Sequence, residues 1–355
     1  MQEFFVDKKI LITGHTGFKG TWLSFWLRCL GAELIGYSLE APTKPNLFEA
    51  LNLEKELIHI TGDLRDFSKL KEVVKTYKPE IIFHLGAQAL VIDSYKDPLY
   101  TFSTNVMGTV HLLEAIRESE SVKVVVIITS DKCYENKEWF YSYRENDTLG
   151  GKDPYSCSKA CAELVVKSYR ESFLKEKGIG IATARAGNVI GGGDWQKNRL
   201  IPDCVRAIVK KEPLKLRNPN AVRPWQHVLE PLYGYMLLAK KLWEKPEEFS
   251  SAWNFGPVST EIIRVRDLVE KFFKVWGEKP KILEERRVYY KESKLLLLDI
   301  TKSVHKLGWK PVLSLSQAIK LTADWYKTFY LDPEKIKEVT VNQIKLYEER
   351  VISLF

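Results

Sequence analysis

The order of elements along the chain predicts an α/β protein, a doubly wound parallel sheet followed by a smaller mixed α/β domain. Three observations carry this. Short apolar strands alternate with amphipathic helices through the first half of the chain. A glycine-rich turn, GHTGFKG at 14–20, stands between the first strand and the first helix. After about residue 188 the texture changes, and NVIGGGDW and RNPNAVRPW bring Gly, Pro, Asn and Trp together, as ligand-facing loops and a small second domain do. The expected division is 1–187 and 188–355, with 226–257 packing back on the first part.

The first strand is KKILIT, ending at Thr13, and the segment TWLSFWLRCLG follows as a helix. Its apolar residues Trp22, Leu23, Trp26, Leu27 and Leu30 recur at helical spacing, and Gly31 supplies the stop. Strands AELIGYS and LIHITGD come next, then a helix over FSKLKEVVKTYK and the strand EIIFHLGAQ. A helix TNVMGTVHLLEAIRES leads to KVVVIITSDK, whose unbroken apolar run suits a strand buried on both faces. From Pro333 onward Ile336, Val339, Ile344, Leu346 and Val351 mark one amphipathic helix.

At 355 residues the chain is about twice the modal domain size. Its 45% hydrophobic and 28% charged content is ordinary for a globular protein and excludes disorder, collagen and coiled coil. No apolar run approaches the roughly 18 residues that cross a bilayer, and the opening MQEFFVDKK is not a secretory leader, so a soluble, cytoplasmic protein with no membrane partner is expected. The net charge of +8 comes from dispersed lysines such as Lys8-Lys9, Lys210-Lys211 and Lys240-Lys241. Without a basic run interleaved with aromatics, nucleic acid is not an expected partner. Five cysteines (Cys29, Cys133, Cys157, Cys161, Cys204) form no CxxC pair, so neither a metal site nor a disulfide framework is expected.

Gly14, Gly17 and Gly20 stand in a strand–turn–helix setting. The first glycine permits the turn, the second lets backbone N–H groups reach a pyrophosphate, and the third brings helix and strand together at a positive helix end. A dinucleotide is therefore expected on Gly14, His15, Thr16, Gly17, Phe18, Lys19 and Gly20. The acidic residue that grips the ribose at the end of the second strand is missing. The strand ends at Ser38, Glu40 comes slightly late, and the nearest base is Lys44. NAD is favoured over NADP, and it is expected to be held loosely, with His15 crowding its phosphates.

Tyr155 and Lys159 lie four residues apart at the start of a helix, which puts both on one face. An ammonium beside a phenol favours phenolate and makes it a base near neutrality. Together with Ser130 at a strand end and the glycine turn, this pattern resembles the extended branch of the short-chain dehydrogenase/reductase superfamily, which implies a Rossmann-type sheet. The strings SDKCYENKEW, YRENDTLGGKDPYSCSKACAEL, RAGNVIGGGDW, LIPD and RPWQHVLEPLYGY, with TNVMGTVHLLEA and LLLLDITKS, look more closely like the CDP-glucose 4,6-dehydratase family of nucleotide-sugar dehydratases.

That resemblance implies a lyase of deoxysugar biosynthesis that uses NAD on a nucleotide sugar, CDP-glucose above all, by C4 oxidation, water elimination across C5–C6 and hydride return to C6. It assigns Tyr155 to the C4 hydroxyl proton, Lys159 to the cofactor ribose and the phenolate, and Ser130 to a hydrogen bond with O4. Asp131 would protonate the departing C6 hydroxyl and Lys132 would be the C5 base, its pKa depressed by burial beside the nicotinamide. A simple Asp131–Lys132 ion pair is the alternative for those two. Ser38, Asp63, Leu64, Gly86, Ala87, Gln88 and Asn105 would serve the cofactor. Gln88, Asn188, Arg199, Leu200, Ile201, Arg223 and His227 would serve the substrate, Arg223 as a bidentate clamp on the diphosphate. Trp225 reads as a packed aromatic.

The family usually carries basic residues after its HLAAQPLV-like string, whereas here Ile92 and Asp93 follow Val91. That puts the sugar and the base in doubt before the reaction type. A 4-epimerase or 4-reductase of the same fold is the alternative, and Asp131 with Lys132 argues against it, because neither reaction needs an elimination acid and base. A non-catalytic NAD-binding protein would be expected to lack the Tyr155–Lys159 pair. Relatives pair through two helices per subunit, so a homodimer is expected through the helices after Thr104 and Tyr155. Leu112, Leu113, Ile116, Leu164 and Val165 there serve either a partner or the sheet.

Overall fold

Short runs of branched aliphatic residues buried on both faces build the central sheet. The computed structural model describes residues 1–258, 263–284 and 295–353. Its first half runs β1 (Lys9–Thr13), α1 (Phe18–Cys29), β2 (Glu33–Ser38), β3 (Ile58–Thr61), α2 (Phe67–Tyr77), β4 (Ile81–His84), α3 (Gly108–Arg117), β5 (Val124–Ile128), α4 (Pro154–Tyr169) and β6 (Gly180–Ala186). The second half runs β7 (Asn188–Ile190), α5 (Leu200–Lys210), β8 (Leu214–Leu216), β9 (Val222–Arg223), β10 (Trp225–His227), α6 (Leu229–Glu244), β11 (Ala252–Phe255), β12 (Ile263–Arg264), α7 (Val265–Trp276), β13 (Ile282–Glu284), α8 (Leu315–Leu331) and α9 (Ile336–Ile352).

Seven strands form one parallel sheet in the order β11-β6-β5-β4-β1-β2-β3. Alternate residues of each strand enter opposite cores. Ile10, Ile12, Phe83, Val124 and Val126 face α1 and the second half of the chain, and Leu11, Ile82, Val125 and Ile127 face α2 and α3. The strand order reverses between β1 and β4, and a crevice opens there at the carboxyl ends, the place where open α/β sheets bind ligands. This is a Rossmann-type fold.

β11 lies beyond residue 226 in the chain yet forms the outer strand beside β6, and the buried face of α6 shares the core on that side. The rest of the second half is small and mixed. β8 and β13 pair in parallel, β9 and β12 antiparallel, and α7 and α8 pack together. Among the described residues, no helix is long and apolar enough to cross a membrane.

Candidate active site

The glycine turn is shaped by close approaches. Gly14 has φ +74°, and a Cβ there would stand 2.7 Å from the Gly86 backbone nitrogen. A Cβ on Gly20 would lie 2.0 Å from the Gly14 carbonyl oxygen, so only glycine lets α1 start this near β1. Gly17 meets nothing closer than 3.4 Å, so its missing side chain leaves space rather than packing. It is the N-cap of α1 and makes no side-chain cap, so the first N–H groups of the helix point into the crevice without an intrahelical acceptor. The turn and the helix end therefore suit a pyrophosphate.

A cleft of about 690 Å³ extends from this turn along the ends of β4 and β5 to the β7–α5 connection and β8. Gly14, Thr16, Gly17, Phe18, Lys19, Gly20, Ser38, Asp63, Leu64, Gly86, Ala87 and Gln88 line it on one side. Ser130, Asp131, Lys132, Tyr155 and Lys159 line its floor, and Asn188, Arg199, Leu200, Ile201 and Arg223 line the far side. Glu40 also lines it, accepting from Thr61 Oγ1 at 3.0 Å. A carboxylate is thus present near the expected ribose position, on the turn beyond β2.

Three expected residues lie elsewhere. His15 turns under β2, because Gly36 has no side chain and its place is taken by the imidazole ring. There Nε2 of His15 is 2.7 Å from Nδ1 of His59, and burial together with His59 lowers its pKa to about 3. It does not crowd the phosphate turn. His227 points from β10 into the core against Trp22 and is fully buried. Asn105 sits behind the cleft, donating to Gln88 O at 3.0 Å and Ser158 Oγ at 2.9 Å and accepting from Gln88 N at 2.8 Å. It holds the loop after β4 against α4.

Helix α4 begins where Asp153 accepts from the Ser156 amide at 2.9 Å and Pro154 takes the first helical position. Tyr155, Lys159 and Glu163 follow at successive turns of one face. Burial lowers Lys159 to about 8, opposed by Glu163, and Nζ lies 6.0 Å from the Tyr155 ring centroid. Burial also dominates Tyr155, raising it to about 12, with a Ser130 side-chain hydrogen bond and Arg199 pulling the other way. The expected lowering of the phenol by the Lys159 ammonium is not seen in this unliganded cleft: the ammonium is directed to Ile128 O at 3.5 Å, and burial of the phenol dominates.

Ser130 caps the turn after β5, accepting from the Lys132 amide at 3.2 Å. Its hydroxyl donates to Asp131 Oδ1 at 2.9 Å. A serine has one proton, so toward a bound sugar it acts as an acceptor while that bond stands. Asp131 is buried, which raises its pKa, against the opposing pull of Lys132, Ser130, Arg223 and Lys19. Lys132 is the foremost charge opposing that rise, so the two side chains interact electrostatically at the end of β5.

Two residues named from the sequence take on more than was expected of them. Lys19, on the first turn of α1, faces Arg199, Asp131 and Lys159, and burial lowers it to about 8. Trp225 packs in the core yet lines the cleft, and its buried Nε1 has no hydrogen-bond partner among the described residues. Arg199 is held by Asp194 at 2.9 Å, and Asp194 in turn by Tyr326, whose hydroxyl accepts from its amide at 3.0 Å. The preceding glycines allow this, since a Cβ on Gly192 would strike the Trp325 ring at 2.1 Å.

Residues 11–322 match the family model described as GDP-mannose 4,6 dehydratase. The CDP-glucose 4,6-dehydratase of Salmonella typhimurium is 47% identical over 333 residues, covering 92% of this chain and 93% of its own. Among solved structures, the dTDP-glucose 4,6-dehydratase of Bacillus anthracis in complex with NAD superposes with a TM-score of 0.75 at 21% identity, covering 94% of this chain and 99% of that one. The UDP-glucose 4-epimerase of Thermotoga maritima with UDP-glucose gives 0.78 at 20% identity, over 91% and 99%.

Proposed function

The chain belongs to the GDP-mannose 4,6 dehydratase family of the extended short-chain dehydrogenase/reductases, and from that premise we propose that it is an NAD-dependent 4,6-dehydratase converting CDP-glucose to CDP-4-keto-6-deoxyglucose. The observation that carries this reading is Asp131, a buried carboxyl with a raised pKa on the same cleft floor as Tyr155 and Lys159. Oxidation or epimerisation at C4 needs no such acid, whereas loss of the C6 hydroxyl does. The 47% identity to a CDP-glucose enzyme supports the choice of nucleotide.

NAD, when bound, supplies the hydride acceptor at C4 and the donor at C6. The chain's own residues do the rest. The glycine turn and the α1 N-terminus would hold its pyrophosphate, and Glu40 its adenosine ribose. Tyr155 Oη takes the C4 hydroxyl proton, Lys132 removes and returns the C5 proton, and Asp131 protonates the leaving C6 oxygen. Asn188, Arg199 and Arg223 would hold the diphosphate. Residues 1–187 would thus serve the cofactor and 188–355 mainly the sugar nucleotide. The reading places the protein in the reducing cytoplasm, in keeping with five free thiols.

Leu112, Leu113 and Ile116 are fully buried against the sheet, so they are not available to a partner. Leu99, Met107, Leu164 and Phe173, beside or on α3 and α4, are exposed, at 79% and 54% for Leu99 and Leu164, and we propose this face as a homodimer surface. The catalytic reading is tested by incubating the protein and added NAD with CDP-, GDP-, UDP- and dTDP-glucose. Loss of water by mass, with the alkaline ultraviolet absorbance of a 4-keto-6-deoxy product, is expected for CDP-glucose. A product of unchanged mass would favour the epimerase alternative.

A further inference from the structure

Elimination asks Asp131 for a proton, and the two oxygens of its carboxyl have different surroundings. Oδ1 accepts the Ser130 hydroxyl at 2.9 Å. Among the described residues no hydrogen bond reaches Oδ2. What lies beside Oδ2 is the joint between β6 and β7. A Cβ on Gly187 would stand 3.3 Å from Asp131 Oδ2 and 3.2 Å from Pro224 Cγ. A methyl group would fit there only if the carboxyl or the proline ring gave way by a few tenths of an ångström.

The fold brings these groups together by strand pairing. Gly187 is the single residue between β6 and β7, and Pro224 the single residue between β9 and β10. β7 and β10 pair in parallel with Asn188 opposite Trp225, so the two joints enter that pair side by side. Gly187 is not at positive φ, so it is space and not backbone conformation that favours glycine here. Pro224 has no N–H to donate. On this side Oδ2 therefore meets carbon and receives no hydrogen bond, while Gly187 and Asp131 both line the cleft. We propose that Gly187 and Pro224 form the seat of the elimination acid, keeping the transferable proton on Asp131 Oδ2 and that oxygen turned to the C6 hydroxyl. The inference rests on the dehydratase reading above.

In the elimination Lys132 takes the C5 proton, and the C5–H electron pair becomes the C5–C6 double bond. The C6–O bond breaks, and the oxygen leaves as water with the proton from Oδ2. Asp131 is left as a carboxylate and takes a proton from water before the next turnover. Such an acid must keep its proton until the transfer and stand within hydrogen-bond reach of the C6 oxygen. A dry seat serves the first need, because a carboxylate without donors is the disfavoured form. Burial does raise the Asp131 pKa, against the pull of Lys132, Ser130, Arg223 and Lys19. A bare seat serves the second, because a side chain at 187 would press the carboxyl off its line. Gly187 and Pro224 act through Asp131 and are positioning residues. Oxidation at C4 draws on neither.

The test compares the intact protein with Gly187→Ala and Pro224→Ala, each with added NAD and two substrates. CDP-6-deoxyglucose can be oxidised at C4 but has no C6 hydroxyl to lose, so it reads the first step alone and reports correct folding. Both variants are expected to oxidise it within about twofold of the unaltered rate. With CDP-glucose, Gly187→Ala is expected to lose about 10-fold or more in dehydration, and the near-ultraviolet absorbance of reduced cofactor is expected to build up during turnover. Pro224→Ala opens the seat to water and lowers the Asp131 pKa. Dehydration needs the protonated acid, so its fall at alkaline pH is expected to move to lower pH in that variant. Should Gly187→Ala not fold, the pH profile of Pro224→Ala decides. Loss of C4 oxidation in step with dehydration, or dehydration unchanged in rate and in pH profile, overturns the seat. Failure of the unaltered protein to dehydrate CDP-glucose at all would instead overturn the catalytic reading.

Discussion

Lys159 is held at a cost to the fold. Burial takes its ammonium from 10.5 to about 8, so between those values the unfolded chain is protonated while the folded one is not. Stability therefore rises with pH across that window, and below about 8 the buried charge is a burden. Lys159→Met is expected to raise the unfolding free energy at pH 7 by about 1–3 kcal/mol while removing activity. Urea melts at pH 7 and pH 10 check this, because the variant should lose about a third of the alkaline rise, Lys19 and Lys302 being lowered to about 8 as well. The Tyr155–Lys159 pair was legible because helical spacing alone puts both on one face. The fates of His15 and His227 were not. A histidine in a phosphate turn reads as a ligand contact, and what diverts it is the absent side chain of Gly36 on a neighbouring strand. The direction of the Ser130 proton was likewise hidden, since it depends on where the Asp131 carboxylate and the Lys132 amide meet the hydroxyl in space.

At the scale of elements, α4 is positioned by a charge set beneath the cleft. Glu163 accepts from Arg185 Nη2 at 2.7 Å and Nε at 2.9 Å and from Thr183 Oγ1 at 2.7 Å, and also from Thr129. This ties the catalytic helix to β5 and β6 one turn below Lys159. Both charges are about 3% exposed, so removing one leaves the other buried and unpaired. Glu163→Gln is expected to destabilise by about 3–5 kcal/mol, and the double change Glu163→Gln with Arg185→Met by clearly less. Equal losses in chemical denaturation would mean that the pair contributes nothing as a pair. The alternating strands and helices were readable because each carries its own period. Glu163 and Arg185 gave no such signal, as each belongs to an element whose pattern is explained without it.

For the whole molecule, three histidines set an acid limit. His15, His84 and His227 are each lowered to about 3 by burial, with His59 adding to the effect at His15 and Lys159 at His84. As pH falls below about 6.5 the unfolded chain takes up protons that the folded one refuses, so stability drops towards pH 3, at most by about 4 kcal/mol per unit when all three lag. Thermal melts from pH 7 to 4 should show that fall, and His227→Phe should reduce its slope by roughly a third. The path of the chain has its own outcome. It leaves the sheet after β6, builds β7 to β10, and returns to lay α6 and β11 along the same sheet before leaving again. Neither half is a contiguous cassette, so a hybrid of two relatives joined near residue 187 would pair a foreign β11 with its own β6. Substrate specificity in this lineage is therefore exchangeable by loops, or by blocks that carry 226–257 with the first half, and not by a single crossover.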